Sequence, residues 1–463
     1  MKPRRILVAL AAITVLVAGC SGRSDDSGAS SEDSGAKSSS SSSASGDFGD
    51  LSEVCGPGDA KTASAQGVTA DDITVGVFTD LGFTKNPEFV DAANVFTSWC
   101  NEAGGINGRK LVPNTHDTNL TAVRQQMVEA CREDFALVGG GAGFDSLGVQ
   151  ERLNCLLPSF PAQVAQVQSI GADLELNASP SRFVGYDSYY GFRKWAMQEA
   201  YPDSANAIGI LRGDAPVTKT LSDQGTEVVR ALGGTVVYQD AYPPSGIADW
   251  TPYAQALKDK GVKGLIFLGD PKHLPKLEET LTGMNYKLDW IDANNNNYSQ
   301  EFIDQLGKSA QFQNNLLDLG GFAPIELADQ VPALQQVKDM YAEYAPDANI
   351  TFPALRAMSA WLLFSKAASA CGDELTRKCV YENGLKETEW TGGGLHAPVN
   401  VGDNTKPSPC FNVEQVTPEG WQPADFKPDN GLYRCDIPPY KYTQDYGKPM
   451  TLADVGKSMN DLN

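Results

Sequence analysis

Between Asp72 and Asp292, short apolar runs alternate with stretches whose apolar residues recur at helical spacing. Ile73 to Phe78, Lys110 to Thr115, Phe135 to Val138 and Leu156 to Phe160 read as strands. Between them, Pro87 to Ala103 carries Phe89, Ala92, Ala93, Phe96, Trp99 and Cys100 on one helical face. A second helix begins at Thr121 and a third runs through Leu153. The alternation then repeats. Strands at Ala207 to Leu211, Thr235 to Tyr238, Gly264 to Leu268 and Leu288 to Asp292 are separated by helices at Thr218 to Leu232, Tyr253 to Lys260 and Leu274 to Met284. Such alternation makes parallel sheets with helices on both faces. Two blocks predict an α/β protein of two doubly wound lobes. Ligands in that architecture lie outside the C-terminal strand ends, here in the cleft between the lobes. Two long helices, near Val331 to Tyr344 and Phe352 to Ala370, follow; the stretch from Gly392 to Cys435 is rich in Gly, Pro and Asn.

The first residues have the order of an export signal. Lys2, Arg4 and Arg5 precede an apolar run from Ile6 to Ala18, too short to span a bilayer comfortably. Val17-Ala18-Gly19-Cys20 resembles the bacterial lipoprotein lipobox. That resemblance implies acylation of Cys20, which becomes the mature N-terminus; the alternative is a plain secretory signal with an incidental cysteine. Residues 21–50 include thirteen serines and almost no apolar side chains. They are expected to stay flexible, with a reach of about 30 Å. The chain is thus expected to hang outside the cytoplasm from a lipid anchor on the bacterial cell membrane.

The net charge of −21 argues against a nucleic-acid partner and against adhesion to anionic lipid headgroups. Three histidines, His116, His273 and His396, share no metal-binding spacing. Asp292-x-Asn294-x-Asn296 mimics the start of an EF-hand, but Asn297 and Ile303 stand where glycine and glutamate are needed. No cofactor is expected. With Cys20 lipidated, eight cysteines remain, an even number that reads as four disulfides in an exported chain. Chain order favours Cys371–Cys379 and Cys410–Cys435 as local loops, Cys131–Cys155 between successive helices, and Cys55–Cys100 pinning the N-terminal strap.

Glu102-Ala103-Gly104-Gly105-Ile106-Asn107-Gly108-Arg109-Lys110-Leu111 resembles the N-A-G-G-I-N-G-R-K-L element of type I periplasmic binding proteins, in the leucine/isoleucine/valine-binding-like branch. Asp72 to Val77 is similar to the opening strand of that family. Ala231 to Val237 is similar to the turn of its second lobe, Ala248-Asp249-Trp250 to the element that follows, and Ala354 to Ala370 to a late helix. The resemblance implies a monomeric, non-enzymatic lipoprotein that delivers a small organic solute to an ABC transporter permease. A branched-chain amino acid, an amide or an aromatic or organic acid would suit. The division expected is a signal peptide (1–19), a tether (20–54), a first lobe (70–185 with about 320–390), a second lobe (186–319 with about 391–440) and a C-terminal tail (441–463). A ligand-sensing lipoprotein working with a separate membrane receptor is the alternative. An exported hydrolase is weaker, because Ser146 lies in G-F-D-S-L-G rather than G-x-S-x-G.

In that family the loops after the strands hold the ligand. The first such loop here contains Asp80 and Phe83. The glycine-rich turn contributes Gly141, Ala142, Phe144 and Ser146. It is either an anion cradle made of backbone N–H groups, with Ser146 as a hydroxyl donor, or a tight turn that needs glycine. The next loop offers Phe160, Ala162 and Gln163. Phe160, Phe83 and Phe144 make an apolar wall or belong to the core. Tyr186 and Tyr189 line the cleft or pack the hinge. From the second lobe come Arg212, Asp214, Asp270, Asp292 and Asn294. The resemblance places a carboxylate for a ligand ammonium at Asp292, or leaves Asn294 there without a counter-charge.

Overall fold

Side-chain alternation along the strands decides which of two helical layers each residue meets. In the computed structural model, which describes residues 45–180 and 183–463, β1 (Asp72–Thr79) sends Ile73, Val75 and Val77 into one core and Phe78 into another. It lies in a parallel sheet of order β2-β1-β3-β4 with β2 (Lys110–Asp117), β3 (Leu137–Val138) and β4 (Ser159–Phe160). The first core is completed by the helices Glu88–Glu102, Pro332–Tyr344 and Phe352–Ser369. The second is completed by the helix Val123–Glu133 through Val123, Met127 and Ala130. Phe160 stands edge-on to Phe364, with ring centroids 5.4 Å apart.

β5 (Tyr186–Asp187) leads to the second lobe, where β6 (Ile208–Gly213), β7 (Val236–Tyr242), β8 (Gly264–Leu268), β9 (Trp290–Asp292) and β10 (Asn315–Asp318) run parallel. Period two again sorts the cores. Leu265 and Phe267 of β8 face one layer, and Ile266 and Leu268 the other. β11 (Val413–Thr417) and β12 (Gly420–Pro423) add an antiparallel edge to give the order β12-β11-β10-β9-β8-β6-β7. That edge departs from the all-parallel expectation: tight hairpins cannot join parallel strands, and the Gly420 turn is such a hairpin.

The disulfides Cys55–Cys100, Cys131–Cys155, Cys371–Cys379 and Cys410–Cys435 are the four pairs suggested by chain order. Cys20 and the signal segment lie outside the described residues. No described helix is long and apolar enough to cross a membrane. Two expectations need correcting. The tether does not reach residue 54: the folded body already includes Phe48 and Val54, both fully buried, with Phe48 edge-on to Trp99. Bonds to Gln336 and Gly393 and the burial of Phe48 and Val54 hold this stretch there. Residues 441–463, expected as a C-terminal tail, likewise belong to the folded body. β13 (Tyr440–Lys441) pairs with β5, and Leu452 and Leu462 pack against Val149 and Leu153 of the first lobe.

Candidate functional site

The C-terminal ends of the strands in both sheets converge on one cleft of about 420 Å³. From the first lobe, Phe83 follows β1, Gly143 and Phe144 follow β3, and Gln163 and Ala165 follow β4. From the second lobe, Gly213 ends β6 ahead of Asp214 to Thr218, Leu268 ends β8 ahead of Gly269 and Asp270, Asp292 ends β9 ahead of Asn294 to Asn296, and Asp318 ends β10. Most of the wall is hydrocarbon, including Leu120, Val167, Ile170, Val184, Val217 and Leu221.

The polar groups of the cleft centre on Arg193. Its Nη1 donates to Asp187 Oδ2 at 2.9 Å, its Nη2 lies 3.9 Å from Asp292 Oδ2, and its guanidinium sits 5.5 Å from the Tyr189 ring centroid. All three ion-pair members are buried. Burial pushes the Asp292 carboxyl up, against the pull of Arg193. Asp318 is pushed up to about 8 by burial, outweighing the backbone N–H groups of Gly320 and Asn412 that bond its Oδ1. Its Oδ2 is buried with no hydrogen-bond partner. Burial thus favours the protonated form of Asp318, which is a hydrogen-bond donor. Across the cleft, Arg356 Nη2 reaches Gln163 Oε1 at 3.1 Å and Asn296 Oδ1 at 3.4 Å. At the mouth, Lys272 Nζ lies 5.9 Å from the Phe83 ring centroid.

Of the residues singled out in the sequence, Phe83, Phe144, Gln163, Tyr186, Tyr189, Asp214, Asp270, Asp292 and Asn294 line the cleft. Asp80, Gly141, Ala142, Ser146, Phe160, Ala162 and Arg212 are not part of its lining. The reasons are local. The Asp80 carboxylate accepts from Thr118 Oγ1, Leu120 N and Gly143 N, so it clamps three loops together. Three donors of the glycine turn are spent inside the protein: Gly139 N on Phe160 O, Gly141 N on Phe78 O and Gly143 N on Asp80. Ser146 donates its hydroxyl to Gln166 Oε1 at 2.6 Å. A Cβ on Gly140 would stand 2.5 Å from the backbone of Phe78, so the turn needs glycine for close packing. Phe160 and Ala162 are core residues, and Arg212 turns to Asp214 Oδ1 at 3.0 Å. Asp292 and Asn294 both line the cleft, but the Asp292 carboxyl already faces Arg193.

Arg193, Asp318 and Arg356 are absent from the residues that the sequence points to. Arg193 has no motif around it. Arg356 lies just before Ala357-Met358, in the late helix that the resemblance locates, so a buried arginine on that helix was the available signal. One Ser–His pair has the spacing of hydrolase chemistry: Ser359 Oγ is 2.8 Å from His396 Nε2. Both residues are buried, Trp390 Nε1 also donates to Ser359, and neither lines the cleft. Burial pushes His396 down to about 4, so this pair is a packing network.

Buried carboxyls give the fold a pH dependence. Glu278, fully buried, is pushed up to about 8 by burial, against one bond from Asn315 Nδ2; its Oε1 and Asn315 Oδ1 are both unpartnered. Glu88 is pushed up to about 7 by burial. Such groups bind more protons folded than unfolded, so stability falls as pH rises from about 4.5 towards 8. Burial works against protonation of His116, but its bond to Asp134 at 2.7 Å leaves it above its ordinary value, and its contribution too is lost as pH rises. Thermal melts should therefore give a higher Tm at pH 5.5 than at pH 8.5. Glu278→Gln should recover about 1–3 kcal/mol at pH 8.5 and little at pH 5.5. A flat profile in both proteins would contradict these assignments.

The model of the family described as periplasmic binding protein matches residues 72–420. No curated protein matches the sequence. Among solved structures, the chain is similar to a fatty acid ABC transporter substrate-binding protein from Thermomonospora curvata, at 16% identity and a TM-score of 0.66, covering 84% of this chain and 97% of that one. It is also similar to a branched-chain amino acid transporter substrate-binding protein from Streptococcus pneumoniae, solved with isoleucine, at 14% identity and a TM-score of 0.59, covering 76% and 99%. A leucine-binding protein from Thermotoga maritima matches at 14% identity and a TM-score of 0.59, covering 76% and 97%.

Proposed function

Because the chain belongs to the periplasmic binding protein family, we propose that it captures a small, largely hydrocarbon organic solute between its lobes and delivers it to an ABC importer. We place it outside the cytoplasm, monomeric and anchored through Cys20, because the order of charges, apolar run and small residues before that cysteine fits a lipoprotein signal. The observation that carries the reading is the cleft itself: facing strand ends, apolar walls and a few buried polar groups.

Those polar groups favour one kind of head group. Asp292 is engaged by Arg193, and Asp318 offers a proton rather than a charge. A ligand ammonium would find no free carboxylate there, and a buried charge without a partner is costly. A carboxylate or amide oxygen would instead meet donors. We therefore favour an organic acid or amide over a free amino acid.

A thermal-shift screen of amino acids, amides, sugars and organic acids at 1 mM tests this. A micromolar ligand should stabilise the protein by about 4 kcal/mol. Shifts confined to acids or amides support the reading. Shifts confined to amines or amino acids overturn the head-group preference. No shift from any class, with turnover of a library member, overturns the receptor.

A further inference from the structure

The family match ends at residue 420, yet the cleft is lined well beyond it, by Lys441, Tyr442, Gln444 to Tyr446 and Gly447. These residues form a strap tied at both ends. On the second lobe, Glu227 receives Tyr440 Oη at 3.0 Å, Thr443 N at 2.6 Å, Thr443 Oγ1 at 2.9 Å and Tyr446 Oη at 2.8 Å. Burial opposes the Glu227 charge, but these donors hold its carboxyl below the ordinary range. On the first lobe, Met450 N donates to Gln168 O at 3.0 Å and Leu452 is buried beside Leu153.

This tying decides what the two tyrosines of the strap show the cleft, beside Lys441, Gln444 and Asp445. Tyr442 Oη is spent on Asp187 Oδ2 at 2.8 Å and Tyr446 Oη on Glu227. With both hydroxyls tied back to protein carboxylates, the two rings, 5.1 Å apart, are left as hydrocarbon and π surface. Val167, Ile170 and Val184 of the first lobe and Leu221 of the second line the same cleft.

We propose that the strap 440–447 is a ligand-binding wall, giving the cleft an apolar, aromatic subsite for the hydrocarbon end of the solute. The proposal rests on the solute-binding reading above and adds to it a part of the site that lies outside the family match. It makes hydrocarbon length a determinant of affinity.

Calorimetric titration with hexanoate, octanoate and decanoate tests it, with leucine as the short branched control. For the unmodified protein, affinity should rise along the alkanoates by up to about fourfold per methylene. Tyr446→Ala should lose at least about tenfold for decanoate. Tyr446→Phe, which keeps the ring and loses only the tie to Glu227, should stay within about threefold. The length series on the unmodified protein stands even if Tyr446→Ala does not fold. Affinity independent of chain length, or a length gain that survives Tyr446→Ala, overturns the proposal. So does the absence of alkanoate binding while another solute of the wider screen binds, an outcome that leaves the receptor reading intact. Silence from both panels removes the receptor reading and the subsite with it.

Discussion

Replacing Arg109 by methionine should cost about 3–5 kcal/mol of folding stability while leaving the ligand cleft untouched. Arg109 is fully buried and carries a charge into the protein. Its Nε donates to Thr69 O at 3.0 Å, and its Nη2 to Thr62 O at 2.8 Å and Asp373 O at 2.9 Å. The half-exposed Asp373 carboxylate, at 3.2 Å, adds little by itself. The loss comes from carbonyls in three separated segments that would lose their donor together. Lysine cannot span them, because one ammonium lacks the planar fork. Urea unfolding of Arg109→Met and Arg109→Lys should show large drops in midpoint for both. A stability within about 1 kcal/mol of the unmodified protein would mean that water replaces the guanidinium, and would contradict this role.

Replacing Arg193 by methionine should cost a similar amount, about 3–5 kcal/mol near pH 8, for a different reason. The lost cation leaves Asp187 and Asp292 buried without their counter-charge. Asp292, whose carboxyl burial already pushes up, can relieve this by taking a proton, so the cost should shrink as the pH falls towards 5. Arg109→Met has no such relief and should cost nearly the same at both pH values. Denaturant melts of the two variants at pH 5 and pH 8 compare them directly. A cost for Arg193→Met that does not change with pH would contradict the ion-pair cluster on the cleft wall.

The two arginines also show what the sequence made legible. The run Ala103 to Leu111 identified the fold, and its conformation explains why those residues are needed. Gly104, Gly105, Asn107 and Gly108 all have positive φ, and a Cβ on Gly105 would stand 2.0 Å from Arg109 O. That run is a corner of the first lobe, and it does not line the cleft. Strand and helix periodicity carried the two-lobed architecture, because parallel strands buried on both faces leave clear apolar runs. The two-residue β3 and β4, though buried, were legible only inside the longer runs Phe135 to Val138 and Leu156 to Phe160.

The lining of the cleft was legible where loops follow strands, as at Phe83, Gln163, Asp214 and Asp270. The sequence was ambiguous at the glycine turn, where chain reversal and anion binding ask for the same residues; the bonding of Gly141 N and Gly143 N inside the protein favours the first. It was silent on Arg193, Asp318 and the strap. Those positions acquire their meaning from partners far along the chain: Tyr442 reaches Asp187, and Tyr446 reaches Glu227. Periodicity carries no such information.

Capture between the lobes implies a single site that one side chain can plug. Ala215 lines the cleft at the start of the helix Pro216–Ala231 and is only partly buried, so tryptophan there would project into the cleft at little cost to the fold. The most direct measurement is calorimetric titration of the best solute from the screen into the unmodified protein and into Ala215→Trp, with their melting curves recorded in parallel. A binding ratio of one solute per chain, abolished in a variant that melts normally, is the expected result. Undiminished binding to a folded Ala215→Trp would place the solute elsewhere and contradict capture in this cleft.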